Sequence, residues 1–335
     1  LRGRITMSDP GLLVLSRADI ARLMTYEDYV VAVEAAFVSA AKGEAVAPPA
    51  AALHVPDGSF HAKGAALLGK GAVTAIKING NFPGNPATNG LPTVQGVIYL
   101  ADGQNGRPLA VMDSIEVTIN RTAAATTLAA RHLARPDSKT ATICGAGVQG
   151  RIHLVAIAAA ARLERINIWD AKAEAAERLA REMSSALKLD IRATADLSMT
   201  RESDIIVTCT SARRAFLTLD LVRAGTFIAA VGADNSDKQE IDPALYAASH
   251  AVVDSLEQAA EIGDLHHALA AGAVTTAHVH ATLGEILAGA KPGRRDAAAI
   301  TLFDSTGMGL QDVAAAAAIY RRALASGAGT RLSLT

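Results

Sequence analysis

The chain has 335 residues, of which 50% are hydrophobic and 19% are charged, a composition typical of globular proteins. Its 32 basic and 33 acidic residues leave a net charge of −1, which argues against nucleic acid and acidic membranes as partners. Every apolar run is shorter than the roughly 18 residues that a membrane-spanning helix needs. The length suggests two domains.

The N-terminal segment and the cysteines indicate the compartment. Residues 1–10 are polar and lack an apolar core, so we expect no signal peptide. The two cysteines, Cys144 and Cys209, each stand at the end of a predicted buried strand. Free core thiols are therefore expected rather than a disulfide, and the natural compartment is the cytoplasm.

The first 120 residues combine one helix with short strands. Residues 26–42 repeat apolar side chains at a spacing near 3.6, which predicts a helix. Strands punctuated by Pro and Gly are predicted at 50–55, 59–65, 73–78, 93–100 and 109–113. Asp102-Gly103 and Asn105-Gly106 mark the turn before the last of them. We therefore expect an antiparallel α+β domain, followed by a helix at 121–133.

Residues 140–150 read Thr-Ala-Thr-Ile-Cys-Gly-Ala-Gly-Val-Gln-Gly, an apolar strand that ends in a G-x-G-x-x-G turn. Gly145 permits the tight turn, Gly147 lets the backbone approach a pyrophosphate, and Gly150 lets a helix pack on the strand. The pyrophosphate is expected at the N-terminus of that helix, on Gly147, Val148 and Gln149.

An acidic residue at the end of the next strand completes this dinucleotide-binding pattern. Asp170 stands 20 residues after Gly150. It is expected to accept hydrogen bonds from the adenosine ribose and to repel a 2′-phosphate. NADH is therefore the expected cofactor, with NADPH as the alternative, because Lys172 and Arg151 lie nearby.

Beyond residue 140 apolar strands alternate with helices, which predicts a parallel sheet covered on both faces. Strands are predicted at 140–144, 165–169, 190–194, 205–209, 226–231, 250–254 and 299–303, and helices at 149–162 and 171–187. An Ala-rich helix at 309–326 is expected to pack back on the N-terminal part. The expected fold class is thus α/β, with a Rossmann doubly wound parallel sheet plus a discontinuous α+β domain.

Several strings along the chain carry a family resemblance. They are Val73-Thr-Ala-Ile-Lys77, Asn85-Pro86 with Gly90-Leu-Pro-Thr93, Leu109-Ala-Val-Met-Asp113, Asn120-Arg-Thr-Ala-Ala124, Gly145-Ala-Gly147, Val231-Gly-Ala-Asp234 with Lys238-Gln-Glu240, and Phe303-Asp-Ser-Thr-Gly307. The chain resembles the ornithine cyclodeaminase/mu-crystallin family over essentially its whole length. This resemblance implies a homodimer in which residues 1–120 and 309–335 bind substrate and dimerise, while residues 121–308 bind NAD.

The resemblance also implies which residues bind substrate, since substrates of the family carry an α-carboxylate. Arg121, expected at the start of the helix that links the two domains, is assigned to that carboxylate, which a guanidinium can meet with two hydrogen bonds. Lys77 is assigned as a substrate-binding lysine, although by itself it could equally face solvent. Lys63 and His61 point to the same face of their strand and join the set.

The string Phe60-His-Ala-Lys63 resembles the Δ1-pyrroline-2-carboxylate reductase-like branch of the family. Alanine dehydrogenases and cyclodeaminases of the family have an arginine or apolar residue near His61 and Met-Pro near Lys63-Gly64. They also have a basic residue where this chain has alanines, at 50–52. Relative to those enzymes, this chain lacks a cation near residue 50 and has one at Lys63. This difference suggests that the substrate carboxylate is bound from another direction, and it weakens any transfer of ornithine specificity.

Asp234 follows a predicted buried strand, at the end of the sheet where ligands bind in this fold. The resemblance implies that it is the acid/base or iminium-stabilising group beside the nicotinamide. The competing role of helix N-cap suits Asp242 better, because Pro243 follows it. Asp234, Lys77 and Arg121 are therefore the predicted catalytic residues.

Further cofactor contacts are expected from residues that follow the predicted strands or flank Arg121 and Asp234. They are Thr122, Thr208, Thr210, Gly232, Lys238 and Ser305. No metal is expected. His266 and His267 are adjacent on a helix and so do not share a face, and they lack partners at ligand spacing.

The sequence thus predicts an NAD(P)H-dependent reductase of cyclic α-imino acids. Hydride transfer would convert Δ1-pyrroline-2-carboxylate to L-proline, with Δ1-piperideine-2-carboxylate as a second substrate. Three alternatives stay open at this point: an ornithine cyclodeaminase, an alanine dehydrogenase, and a non-catalytic NAD(P)H-binding protein like mu-crystallin.

Overall fold

The computed structural model describes residues 11–334, so the segment 1–10 and the signal-peptide expectation lie outside the described residues. The strands are β1 (Leu12–Leu15), β2 (Ala45–Val46), β3 (Ala51–Val55), β4 (Gly58–Leu67), β5 (Val73–Asn81), β6 (Val94–Asp102), β7 (Pro108–Asp113), β8 (Thr140–Cys144), β9 (Arg165–Trp169), β10 (Asp190–Thr194), β11 (Ile205–Thr208), β12 (Arg213–Leu217), β13 (Phe227–Ala230), β14 (Gln239–Ile241), β15 (His250–Val253), β16 (Ala281–Thr282), β17 (Thr301–Asp304) and β18 (Thr330–Leu332). The α-helices are α1 (Arg17–Leu23), α2 (Tyr26–Ala41), α3 (Asn85–Thr88), α4 (Ser114–Leu133), α5 (Val148–Ala160), α6 (Ala173–Leu187), α7 (Pro243–Ala248), α8 (Leu256–Ile262), α9 (Asp264–Ala270), α10 (Leu283–Leu287) and α11 (Gly309–Ser326). None of the helices within residues 11–334 is long and apolar enough to cross a membrane.

The chain divides into two compact units. The first unit contains the described part of 1–32 together with 43–118 and 309–335. The second unit contains 33–42 and 119–308. The roles expected for two domains, substrate binding with dimerisation and NAD binding, stay predictions at this point.

The first unit is built on a mixed sheet with the strand order β18-β1-β7-β6-β5-β4-β2, and β3 pairs with β4. All pairs are antiparallel except β1 with β7. Helix α11 packs on β4 and β5. The first residue of α11 is Gly309, and Gly64 lies directly against it. A Cβ at Gly309 would stand 2.6 Å from the Gly64 carbonyl oxygen, so the close packing requires glycine there. The predicted α+β arrangement is confirmed.

The second unit carries an all-parallel sheet in the order β10-β9-β8-β11-β13-β17-β15-β16. Every residue of β11, β13 and β17 is buried, as expected for strands covered on both faces. The strand order reverses at β8, so the carboxyl ends of β8 and β11 flank a topological switch point, where ligands bind in open α/β sheets. The predicted Rossmann sheet is confirmed.

The predicted start of the helix at 121–133 is too late in the sequence. The structure starts it at Ser114, so Arg121 is the eighth residue of α4 and not its first. The Asp113 carboxylate accepts hydrogen bonds from the N–H groups of Ile115 and Glu116, both at 3.0 Å, and so satisfies the first turn. This cap outweighs the low helix propensity of the β-branched residues that follow.

Candidate active site

The glycine turn between β8 and α5 has the form that a dinucleotide phosphate requires. Gly145 has a φ of +118°, and a Cβ there would stand 2.8 Å from the Cys209 carbonyl oxygen. A Cβ at Gly150 would collide with the Gly145 carbonyl oxygen. At Gly147, which caps α5 ahead of Val148 and Gln149, no described atom lies within 4 Å of such a Cβ. Two glycines are therefore needed for packing, whereas the third leaves open space at a helix N-terminus.

Asp170 lies beside this turn, directly after β9. Its carboxylate accepts a hydrogen bond from the Ala146 N–H at 2.7 Å and another from the Lys172 N–H at 2.8 Å. Nearby, the Arg151 guanidinium is paired with Glu182, so its charge is compensated within the second unit. The turn, the helix and this carboxylate fit a dinucleotide whose ribose carries no 2′-phosphate.

Glu240 joins the loops that follow β11 and β13. Its carboxylate accepts hydrogen bonds from the N–H and hydroxyl of Thr210, at 2.6 and 2.7 Å, and from the Gly232 N–H at 2.9 Å. Burial raises the pKa of Glu240, while the hydrogen bonds from Thr210 and Gly232 act to lower it. Thr210 and Gly232 are thus gathered around one fully buried carboxyl group.

Two further buried acids, Asp264 and Asp304, hold the backbone around Glu240 and α9. Asp264 accepts the N–H groups of Glu240 and Ile241, both at 2.9 Å. Asp304, at the end of β17, accepts the Leu265 N–H at 2.8 Å. Burial raises the pKa of Asp304 to about 7, with a contribution from the neighbouring Asp254. Burial, Asp304 and Glu240 likewise raise the pKa of Asp264. Nothing in the local sequence distinguishes these acids from solvated ones, so pattern reasoning missed them.

Asp234 lies in the loop after β13, and its side chain is 53% exposed. Its Oδ1 atom is 2.7 Å from the Lys238 ammonium and accepts a hydrogen bond from the Asn235 amide at 3.2 Å. Lys238, predicted as a cofactor residue, is therefore a neighbour of the predicted catalytic carboxylate. Asp242 caps α7 through the Ala244 N–H, as predicted.

Arg121 and Thr122 are both buried in α4, with Arg121 only 5% exposed. The Arg121 guanidinium lies against Gly307, in the loop that follows β17. The hydroxyl of Ser305, in the same loop, donates to Asp254 at 3.3 Å. The second unit therefore holds a buried guanidinium beside the loop that carries Ser305, one of the expected cofactor contacts.

The first unit brings the two predicted substrate lysines together. Lys63 and Lys77 are direct cross-strand partners on β4 and β5, and His61 lies on the same face, with its ring nitrogen 2.8 Å from the Ser59 hydroxyl. Like charges at opposed positions destabilise a sheet unless they are compensated. The Lys77 ammonium is 2.7 Å from the Asp312 carboxylate on α11, and both side chains are buried, at 4% and 1% exposure.

Asp312 was not predicted, because its pairing depends on the docking of α11 on β5. The predicted site residues are therefore found as two sets, one in each unit. Within residues 11–334, no three His, Cys, Asp or Glu side chains are grouped so that they could hold a metal ion.

Comparisons with known proteins agree with this geometry. The sequence profile of the ornithine cyclodeaminase/mu-crystallin family matches residues 12–327. The structure is similar to that of Thermococcus litoralis Δ1-pyrroline-2-carboxylate reductase in complex with NADH and L-proline, with 34% identity, a TM-score of 0.91, and coverage of 96% of this chain and 100% of that chain.

Two other solved structures are similarly close. An archaeal alanine dehydrogenase dimer with bound NAD has 34% identity and a TM-score of 0.92, over 97% of this chain and 99% of that chain. The iminosuccinate reductase of Paracoccus denitrificans in complex with NAD+ has 33% identity and a TM-score of 0.90, over 97% and 100%. Since the family profile and these likenesses span nearly all of the chain, the protein belongs to the ornithine cyclodeaminase/mu-crystallin family.

Proposed function

We propose that this protein is an NADH-dependent reductase of cyclic α-imino acids, which converts Δ1-pyrroline-2-carboxylate to L-proline. The observation that carries the proposal is the buried Arg121 guanidinium, held in the same unit as the glycine turn and Asp234. A relative of similar structure has been solved with NADH and L-proline, which supports this substrate class. We assign NAD binding to residues 121–308, and substrate binding with dimerisation to 1–120 and 309–335.

The charge of each site residue indicates which group of the cofactor or substrate it would bind. When bound, NADH supplies the hydride that reduces the imine carbon. The glycine turn would hold the pyrophosphate, and Asp170 the adenosine ribose. Arg121 would bind the substrate carboxylate through two parallel hydrogen bonds. Asp234, as a carboxylate, would stabilise the positive charge on the protonated imine nitrogen, which becomes the neutral amine as the carbon is reduced.

The two lysines of the first unit are proposed to differ in role. Lys77 is paired with Asp312, so the pair is close to neutral and attracts a substrate carboxylate only weakly. We therefore assign Lys77 to hydrogen bonding, together with His61, and Lys63 to a second positive charge. Arg121 then carries most of the selectivity for the carboxylate.

A substrate panel tests the proposal. NADH and NADPH oxidation would be followed with Δ1-pyrroline-2-carboxylate and Δ1-piperideine-2-carboxylate, and with pyruvate or oxaloacetate plus ammonia. We expect stoichiometric NADH oxidation with the cyclic imines. Faster turnover of pyruvate with ammonia would favour an alanine dehydrogenase, and of oxaloacetate with ammonia an iminosuccinate reductase.

Two further outcomes would overturn the proposal. Ammonia release from L-ornithine with catalytic NAD, without net NADH oxidation, would identify a cyclodeaminase. NADH binding without turnover of any substrate in the panel would identify a binding protein.

Replacing Asp170 by Ser tests the choice of cofactor. Loss of a charge-assisted hydrogen bond of about 1.5–3 kcal/mol should raise the KM for NADH about ten- to a hundredfold. The KM for NADPH should fall or stay constant, because repulsion of the 2′-phosphate is removed. Glu174→Ser, which removes an exposed acid in the first turn of α6, is the control and should change neither value. Equal changes for both cofactors would contradict this role.

We propose that the protein is a homodimer formed through the first unit. The sheet face opposite α11 exposes large apolar side chains at aligned positions on neighbouring strands. They are Leu53 (64% exposed), Phe60 (40%), Ile76 (42%), Ile78 (46%) and Val97 (45%). A contiguous apolar patch of this kind is typical of an interaction surface. The alanine dehydrogenase of similar structure is described as a dimer.

Placing two lysines on this face, Ile76→Lys with Ile78→Lys, should convert the dimer to a monomer. Two charges buried at an apolar interface without partners oppose association. Sedimentation velocity would measure the change. Val31→Lys, at an isolated residue that is 60% exposed on α2, is the control and should leave the dimer intact. A dimer of unchanged affinity in the double variant would place the interface elsewhere.

A further inference from the structure

The loop that follows β17 is fixed by one buried carboxylate. Asp254, which is 4% exposed, accepts hydrogen bonds from the Gly307 N–H at 2.7 Å, the Thr306 hydroxyl at 2.9 Å and the Ser305 hydroxyl at 3.3 Å. It also accepts the N–H of the next residue, Ser255, at 2.8 Å. Three consecutive residues of the loop are thus tied to the end of β15. Such a connected polar network makes the loop rigid.

A second side chain holds the same loop from α8. The Gln258 amide donates to the Thr306 hydroxyl at 2.7 Å and to the Gly307 carbonyl oxygen at 3.0 Å. Both backbone polar groups of Gly307 are therefore hydrogen-bonded. Its φ is +75°, in the left-handed region that glycine adopts readily and other residues do not.

The guanidinium of Arg121 packs against the bare Cα of Gly307. A Cβ at this position would stand 2.6 Å from Nη1, 3.2 Å from Nη2 and 3.3 Å from Cζ of Arg121. The first distance is too short for any real contact, so a side chain at 307 would push the guanidinium away. The arginine tip is flexible, so the guanidinium would yield before the backbone does.

We propose that Gly307 is a specificity-determining position, held by Asp254 and Gln258, that sets where the Arg121 guanidinium meets the substrate carboxylate. The inference rests on the proposed function, in which Arg121 binds that carboxylate. Asp254 and Gln258 act through the loop, so they are positioning residues. Since a displacement of about 1 Å can change a rate about a hundredfold, the bare Cα at 307 is a functional requirement.

Gly307→Ala tests the proposal. Titration of the enzyme–NADH complex with L-proline should show about ten- to a hundredfold weaker binding, and the KM for Δ1-pyrroline-2-carboxylate should rise in parallel. The Kd for NADH should stay within about twofold, because a Cβ at position 307 would meet Arg121, and Gly307 is not among the predicted cofactor contacts. A general loss of structure would instead weaken both ligands.

Gly289→Ala is the matched control. Gly289 has a φ of +74°, close to that of Gly307, but no described atom lies within 4 Å of a Cβ placed there. It reproduces the backbone strain without the contact and should leave L-proline affinity unchanged. If Gly289→Ala and Gly307→Ala weaken L-proline binding equally, strain alone explains the effect and the proposal is overturned.

The Arg121→Lys background separates this inference from the proposed function. Lysine has no guanidinium to displace, so Gly307→Ala should weaken L-proline binding much less there than in the wild type. If Arg121→Lys itself leaves L-proline affinity unchanged, the carboxylate role of Arg121 in the proposed function fails. If Arg121→Lys weakens binding but Gly307→Ala does not, only the positioning role is overturned.

Discussion

Asp234→Asn is expected to lower kcat for Δ1-pyrroline-2-carboxylate by about 10²- to 10⁴-fold, the range typical of a group that acts on the reacting atoms. The amide keeps the shape of the side chain but loses the negative charge that would stabilise the iminium nitrogen. Steady-state and single-turnover measurements of NADH oxidation would give the value. The Kd for NADH, measured separately, should stay within about twofold.

Asp237→Asn is the matched control for this prediction. It removes the same charge from the same loop, three residues away, at an exposed position. Its kcat should stay near that of the wild type. Turnover of Asp234→Asn within twofold of the wild type with every imine tried would refute the catalytic assignment.

Asp312→Ala should have the largest effect on stability. It leaves the Lys77 ammonium buried without its partner at 2.7 Å, and breaking a buried ion pair costs about 3–5 kcal/mol of unfolding free energy. Equilibrium denaturation would measure this. Asp220→Ala breaks the Arg201–Asp220 pair, whose side chains are 53% and 69% exposed, and should cost far less unfolding free energy than Asp312→Ala.

Replacing both members of the Lys77–Asp312 pair separates the effect of charge on stability from the effect of packing. Lys77→Met with Asp312→Leu removes both charges and should recover most of the stability that Asp312→Ala loses. Activity should not return, because Lys77 is a predicted catalytic residue. If Asp312→Ala lowered the free energy of unfolding no more than Asp220→Ala does, the Lys77–Asp312 pair would not behave as a buried ion pair.

Local patterns were enough to predict most of the fold. The dinucleotide-binding pattern is an example, because it depends only on neighbours in sequence. It consists of the β-branched run before Gly145, the glycine spacing and the acid at 170. The start of α4 was predicted wrongly because a capping contact from Asp113 outweighed local propensity. Helix α1 was missed even though Ser16 and Asp19 form a capping box, a signal present in the sequence.

The sequence by itself determined the family, the Rossmann unit and the residue types that the chemistry needs. Tertiary structure alone decided how two of those residues are placed: Lys77 beside Asp312, and Arg121 against Gly307. The physical reason is that secondary structure and cofactor loops follow from short-range periodicity and backbone freedom. The charge state and placement of a buried group depend instead on partners that come from distant parts of the chain, and no local pattern encodes them.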